Sequence, residues 1–214
     1  KVMGLAPYGQ PKYKDIIMKE LVDLKDDGSF RLNMKYFNYA TGLTMINNKF
    51  EDLFGQKARN PQKDLLTQFH MDIASSIQNV TEEIVLKLTM SLSKEYKSRN
   101  LCLAGGVALN CVANGKILKN NIFENIWIQP AAGDAGGSLG AALAFWYKEL
   151  GNKRNPSLKN DDMKGAFLGP SFNERQVENT LKFVGAKYKK QSEESLISLI
   201  ANELKNGKTI GWFQ

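Results

Sequence analysis

Apolar residues at Leu66, Phe69, Ile73, Ile77, Val80, Ile84, Leu88 and Leu92 recur at steps of three and four, the spacing of one face of an α-helix. Asn60-Pro61 ahead of them offers an N-cap followed by proline at the first helical position. The pattern predicts one long helix from Asn60 to about Lys97, on the order of 50 Å at 1.5 Å per residue, with its stripe in the core. Two similar units follow. Leu101–Ala104 reads as a short apolar strand closing on Gly105-Gly106, with a helix from Asn110 to Lys119. Asn125–Gln129 is a second strand, Pro130–Gly133 a loop and Ala135–Leu150 a second helix. Strand, glycine turn and helix, twice over, is the pattern of a parallel sheet covered by helices.

The flanks are mixed. A loop holding Gly4, Pro7, Gly9 and Pro11 leads to a helix pattern over Lys14–Lys25, a turn at Asp26-Asp27-Gly28 and a strand over Ser29–Asn33. Residues 151–164 change to Asn, Lys, Asp and Pro and read as a linker, which makes 1–150 one domain and 165–214 the beginning of a second. The second part holds a strand at Ala166–Leu168, a helix opened by Ser171 with Glu174 at capping-box spacing, a helix over Ser192–Lys205 ended by Asn206-Gly207, and a strand at Thr209–Phe213. A chain that opens on Lys1 and stops inside a strand-like run reads as a piece of a longer protein.

Composition narrows the classes. With 214 residues, 43% hydrophobic and 24% charged, the chain can bury a core. Its longest near-apolar run, Leu139–Tyr147, is under half of the ~20 residues a membrane span needs, and no signal peptide opens it. Cys102 and Cys111 lack metal-site spacing and read as reduced core thiols of a cytoplasmic protein; the single His70, placed mid-helix, cannot build a triad or a histidine cage. The charge of +7 comes from scattered basic residues, only five of them arginine. That dispersion speaks for a solvated lysine-rich surface and against nucleic acid as partner.

Chemistry concentrates at Ala104–Asn110 and Gly133–Gly140, each at a strand-to-helix transition. In open α/β sheets ligands bind there, because helix N-terminal amides face the crevice beyond the strand ends. Neither turn is a Rossmann fingerprint. Gly115-Lys116 and Gly207-Lys208-Thr209 fail as P-loops, since Asn stands at 110 and at 202 where the leading glycine is needed. Asp134 is either an N-cap of the following helix or a carboxylate aimed into the crevice as ligand to a divalent cation. Asn110 is likewise either a helix cap or an amide donating to a ribose or base.

These residues resemble a known family. Lys1–Gly9 (KVMGLAPYG), Asp72–Gln78 (DIASSIQ), Leu103–Asn110 (LAGGVALN) and Gly133–Ala142 (GDAGGSLGAA) look like the motifs of the nodulation- and antibiotic-type O-carbamoyltransferases. Gly207–Gln214 is similar to the entry into that family's C-terminal domain. The resemblance implies an α/β fold: the later part of an actin-like ATPase (ribonuclease H-like, Kae1-like) lobe with layered sheet and helices, then the start of a truncated YrdC-like α/β domain. It implies ATP-dependent transfer of a carbamoyl group from carbamoyl phosphate, through carbamoyl-adenylate, to a hydroxyl of a sugar- or antibiotic-like acceptor. Gly105, Gly106, Val107, Asn110, Gly133, Gly136 and Gly137 would line the nucleotide, with Lys1 and Gly4 bordering it, and Asp134 would ligate a divalent metal, Fe2+. The other metal ligands, the carbamoyl phosphate site and the Mg2+ that accompanies ATP would lie outside this sequence, leaving the piece alone inactive. A homodimer is left open, and an actin-fold sugar kinase, a tRNA threonylcarbamoyl-transfer protein and a non-catalytic lobe stand as alternatives.

Overall fold

The computed structural model describes residues 2–156 and 163–212. Lys1, part of the expected linker, and Phe213 at the end of the expected last strand lie outside them. The described residues form a mixed α/β structure with two small sheets, and the chain divides into units Lys1–Ser157 and Leu158–Gln214.

In the first unit a short helix α1 (Val2–Leu5) and a 3-10 turn (Ala6–Tyr8) lead to α2 (Lys14–Ile16), which continues as a π-helical turn (Ile17–Leu21). The helix expected to reach Lys25 stops at Leu21, because Val22–Leu24 form strand β1, antiparallel to β2 (Phe30–Leu32). A 3-10 turn (Met34–Tyr36) and α3 (Asn48–Phe54) precede the long helix α4 (Gln68–Tyr96).

Helix α4 begins later than the sequence suggested. Asn60 closes a local turn instead: its Oδ1 accepts the Gln62 N–H (3.0 Å) while Asp64 accepts the Asn60 N–H (2.7 Å). Thr67 is the N-cap, and His70, in the first turn rather than mid-helix, accepts the Thr67 backbone N–H on Nδ1 (3.0 Å). The 29 residues of α4 span about 43 Å at 1.5 Å per residue.

Two apolar clusters lean on this helix. Ile17, Leu21, Val22, Tyr36 and Val80 form one, with Tyr13, Phe50, Phe54, Ile77 and Ile84 against it. Leu101, Ile117 and Phe123 form the other, with Val85 and Leu86. The predicted stripe is thus core in its middle only: Leu66, Leu88 and Leu92 are exposed. Polar side chains of α4 are buried instead, among them Asp72, Ser76, Gln78 and Glu82.

The loop after α1 explains two of them. Asp72 accepts the Gln10 N–H (2.8 Å), Gln68 Nε2 (2.9 Å) and Lys12 Nζ (2.6 Å), while Ser76 Oγ accepts the Tyr13 N–H (3.0 Å). Hydrogen bonding by Lys12 first, then by the Gln10 amide and Gln68, holds the Asp72 carboxyl down at about 2. The same hydrogen bond raises Lys12 above its ordinary value.

After α4, β3 (Asn100–Leu103) runs parallel to β4 (Asn125–Ile128), with α5 (Cys111–Lys119) as the crossover and α6 (Gly136–Ala144), extended by a π-helical turn (Phe145–Glu149), after β4. Alternation of side chains across a strand puts Leu101 and Leu103 inward and Cys102, in register with Trp127, outward. Cys102 and Cys111 are free thiols as expected, but both are exposed rather than core.

The second unit carries α7 (Glu174–Phe183) and α8 (Glu193–Lys205), with no buried residue in either. The box that opens α7 is Asn173/Gln176, two residues beyond the expected Ser171/Glu174: Gln176 N–H donates to Asn173 Oδ1 (3.0 Å) and Asn173 N–H to Gln176 Oε1 (2.9 Å). Helix α8 forms where a helix over Ser192–Lys205 was expected, with Ser192 as its N-cap. The strand expected at Ala166–Leu168 does not form, since Gly165 and Ala166 have φ of 62° and 72° inside a 3-10 turn. Thr209–Trp212 join no strand either.

Candidate functional site

Both glycine turns emerge from the C-terminal ends of β3 and β4, so parallel pairing sets them side by side. The backbone joins them: Gly105 N–H donates to Ala132 O (2.8 Å), next to Gln129 N–H on Leu103 O (3.1 Å). Gly105 sits at φ 96°, ψ 162°, a region essentially closed to residues with a Cβ.

From Gly105 a 3-10 turn (Gly106–Leu109) delivers the chain to Asn110. Asn110 caps α5, its Oδ1 accepting the Ala113 N–H (3.2 Å). Of the two roles the sequence left open for it, the cap is realised, and a second long-range contact is added. Gln78 of α4 donates to Asn110 Oδ1 (3.1 Å) and to Glu82 Oε1 (2.8 Å), and accepts from Asn110 Nδ2 (3.0 Å). Glu82 is buried and pairs with Lys116 of α5.

A cavity of about 430 Å³ opens here, lined by Gly106, Val107 and Asn110 of the first turn, by Gln78 and Thr81 of α4, and by Val2 and Met3 of α1. Its composition, apolar walls with a few convergent amides and a hydroxyl, is that of small-molecule sites in general. Gly4 belongs to the helix whose neighbours line it, and Lys1 lies outside the described residues. Gly133, Asp134, Gly136 and Gly137 adjoin the first turn through the Gly105–Ala132 bond but do not line this cavity. Gly136 has a packing role of its own, since a Cβ there would fall on the Ala131 carbonyl oxygen.

Asp134 does not cap α6. That helix takes Ala135 as N-cap with no side-chain hydrogen bond, and only the Asp134 backbone carbonyl is used, by Gly137 N–H (3.0 Å). Its side chain is exposed, and no three His, Cys, Asp or Glu side chains gather around a common point among the described residues. Among the described residues, Asp134 is the carboxylate this turn offers.

Sequence reasoning missed Gln78, Glu82 and Lys116 as site residues. A signal was available for the Gln78–Glu82 contact alone, since the two stand four apart, one helical turn, inside a helix with an apolar face.

A family model described as "Carbamoyltransferase N-terminus" matches residues 1–143. Over its full length the chain is 57% identical to an uncharacterized protein of Synechocystis sp., of which it spans 35%. It is 36% identical to nodulation protein NolO of Bradyrhizobium diazoefficiens and 33% identical to nodulation protein NolNO of Sinorhizobium fredii, spanning 36% and 29% of them. The chain thus covers about a third of the length of these curated relatives. No helix among the described residues is long and apolar enough to cross a membrane.

Proposed function

The chain belongs to the carbamoyltransferase N-terminus family, and from that membership we propose that it supplies the nucleotide-receiving part of an ATP-dependent O-carbamoyltransferase with an actin-like lobe. The reaction is transfer of a carbamoyl group from carbamoyl phosphate, by way of carbamoyl-adenylate, to a hydroxyl of a sugar- or antibiotic-like acceptor. One observation carries the reading: a cavity at the end of a parallel strand pair, in which Val107 and the Asn110 amide of the glycine turn meet Gln78 of the long helix.

The residues present suit a nucleoside. Val2, Met3 and Val107 give apolar surface for a base, and Thr81, Gln78 and Asn110 give groups able to hydrogen-bond a ribose or base edge. The neighbouring turn with Gly133, Gly136 and Gly137, tied to Gly105, is the place for the phosphate end, where backbone amides near a helix start favour anions. AMP is a good leaving group, so attack of the acceptor oxygen on the carbamoyl carbon, with AMP departing, asks of the protein mainly positioning and charge stabilisation. A divalent cation would take only Asp134 from this chain, and no step is routed through it.

The test uses the full-length protein with ATP, carbamoyl phosphate and a panel of hydroxyl acceptors. The expected result is carbamoylated acceptor, with AMP, pyrophosphate and the inorganic phosphate left by carbamoyl phosphate formed only when carbamoyl phosphate is present. ADP with a phosphorylated acceptor would assign a sugar kinase instead, and no ATP consumption would leave the lobe a packing element.

A further inference from the structure

Asn110 is held from two sides, and the two grips together decide what it can offer a ligand. Its reciprocal amide pair with Gln78 (3.1 and 3.0 Å) would be equally good with both amides turned over, since each carries one carbonyl and one NH2. Each end, however, also meets a group with only one possible role. The Ala113 backbone N–H can only donate, and it meets Asn110 Oδ1 (3.2 Å). The Glu82 carboxylate, paired with Lys116, accepts from Gln78 Nε2 (2.8 Å). Turning the pair over would set N–H against N–H at one end and carbonyl against carboxylate at the other. The pair therefore has one orientation.

Counting bonds follows directly. Both lone pairs of Asn110 Oδ1 are taken, by Gln78 and Ala113, and one Nδ2 proton goes to Gln78 Oε1. One Nδ2 proton remains, on a residue that lines the cavity. We infer that Gln78, itself oriented by Glu82 and Lys116, is a positioning residue that fixes the Asn110 amide as a hydrogen-bond donor, so that the cavity selects a ligand with an acceptor atom at that point. The inference rests on the reading of this cavity as a nucleotide site, and it adds a chain of three residues, from Lys116 through Glu82 to Gln78, whose effect reaches the ligand only through Asn110.

The experiment compares wild-type full-length protein with Gln78→Met, a substitution close in volume that keeps the helix and removes both amide bonds. Calorimetric titration with ATP is expected to give a Kd about tenfold weaker in the variant, the loss of roughly one well-placed hydrogen bond. In turnover, KM for ATP is expected to rise by a similar factor while KM for the carbamoyl acceptor stays within about twofold; loosening of the whole lobe would move both. If wild type binds ATP and a folded Gln78→Met binds it equally well, the inference is overturned while the nucleotide reading stands. If wild type does not bind ATP, the nucleotide reading fails and takes this one with it. Should Gln78→Met not fold, Asn110→Asp decides: it keeps an acceptor for Ala113 and Gln78 but has no donor. Measured in roughly 0.5 M salt to screen repulsion of phosphate, unchanged ATP affinity in that variant overturns the inference and a tenfold loss supports it.

Discussion

The two strand–turn–helix units of this chain are written in nearly the same language and end up in opposite surroundings. In the first, β3 and α5 are backed by α4: Leu101 and Ile117 are buried, Asn110 is gripped from both sides, and the turn walls a cavity. In the second, α6 has no buried residue, Leu143, Phe145, Trp146 and Leu150 are exposed, and Asp134 has no side-chain partner among the described residues. The strand and helix of each unit follow from local pattern, whereas the burial and side-chain pairing of α5 follow from α4 packed against it.

The sharpest way to break this contrast is to cut the core on each side. Ile117 is 0% exposed, and Ile117→Ala is expected to cost about 2–5 kcal/mol, as buried large-to-small changes do. Leu143 is 45% exposed, and Leu143→Ala is expected to stay within about 0.5 kcal/mol. Chemical denaturation of both variants checks the pair, and equal losses would mean that α6 is as well packed as α5.

The glycines give the next test. Gly105→Ala forces a side chain into a glycine-only conformation and is expected to destabilise by about 1–3 kcal/mol. Gly137 lies in α6 with open space where its Cβ would be, so Gly137→Ala is expected to stabilise by up to about 1 kcal/mol. If Gly137 also contacts a nucleotide, that gain in stability comes with weaker ATP binding, which thermal melts with and without ATP would separate.

The gentlest test is an acid titration, and it turns on Asp72. Asp72 is buried under three donors and its carboxyl is held down at about 2, against about 3.9 in an unfolded chain. Because the folded value is the lower one, its contribution is fully present above about pH 4 and is lost as the pH falls toward 2. Asp72→Asn is expected to remove that limb of the acid-unfolding curve.

Much of this architecture was legible in the chain. Asn110 before an apolar helix, Gly105-Gly106 after an apolar run and Ser192 ahead of an amphipathic stretch are local signals, and each marks what it announced. The errors come where two local solutions compete. Asn60-Pro61 satisfies the rules for a helix start, but Asn60 bonds to Gln62 and Asp64 in a turn, and Thr67 takes the cap. Ser171/Glu174 and Asn173/Gln176 both have box spacing, and the second forms. Of the cavity lining, Gly106, Val107 and Asn110 stand in the run singled out from the sequence, whereas Gln78 lies 32 residues from Asn110 and Glu82 lies 34 from Lys116. Pairing across such separations is set by how the helix docks, which no local pattern encodes.

Helix α4 also decides how the first unit comes apart. Val80, Ile77 and Ile84 belong to one apolar cluster and Val85 and Leu86 to the other, so a single helix is shared by both and neither can melt without stripping a flank of it. Local opening is confined to segments that make few buried contacts; the amides between Ile77 and Leu86 make many. Their exchange with solvent deuterium therefore waits on the rarest event available to the unit, its complete unfolding, and the cavity walled by Gln78 and Thr81 inherits the rigidity of the slowest-opening stretch.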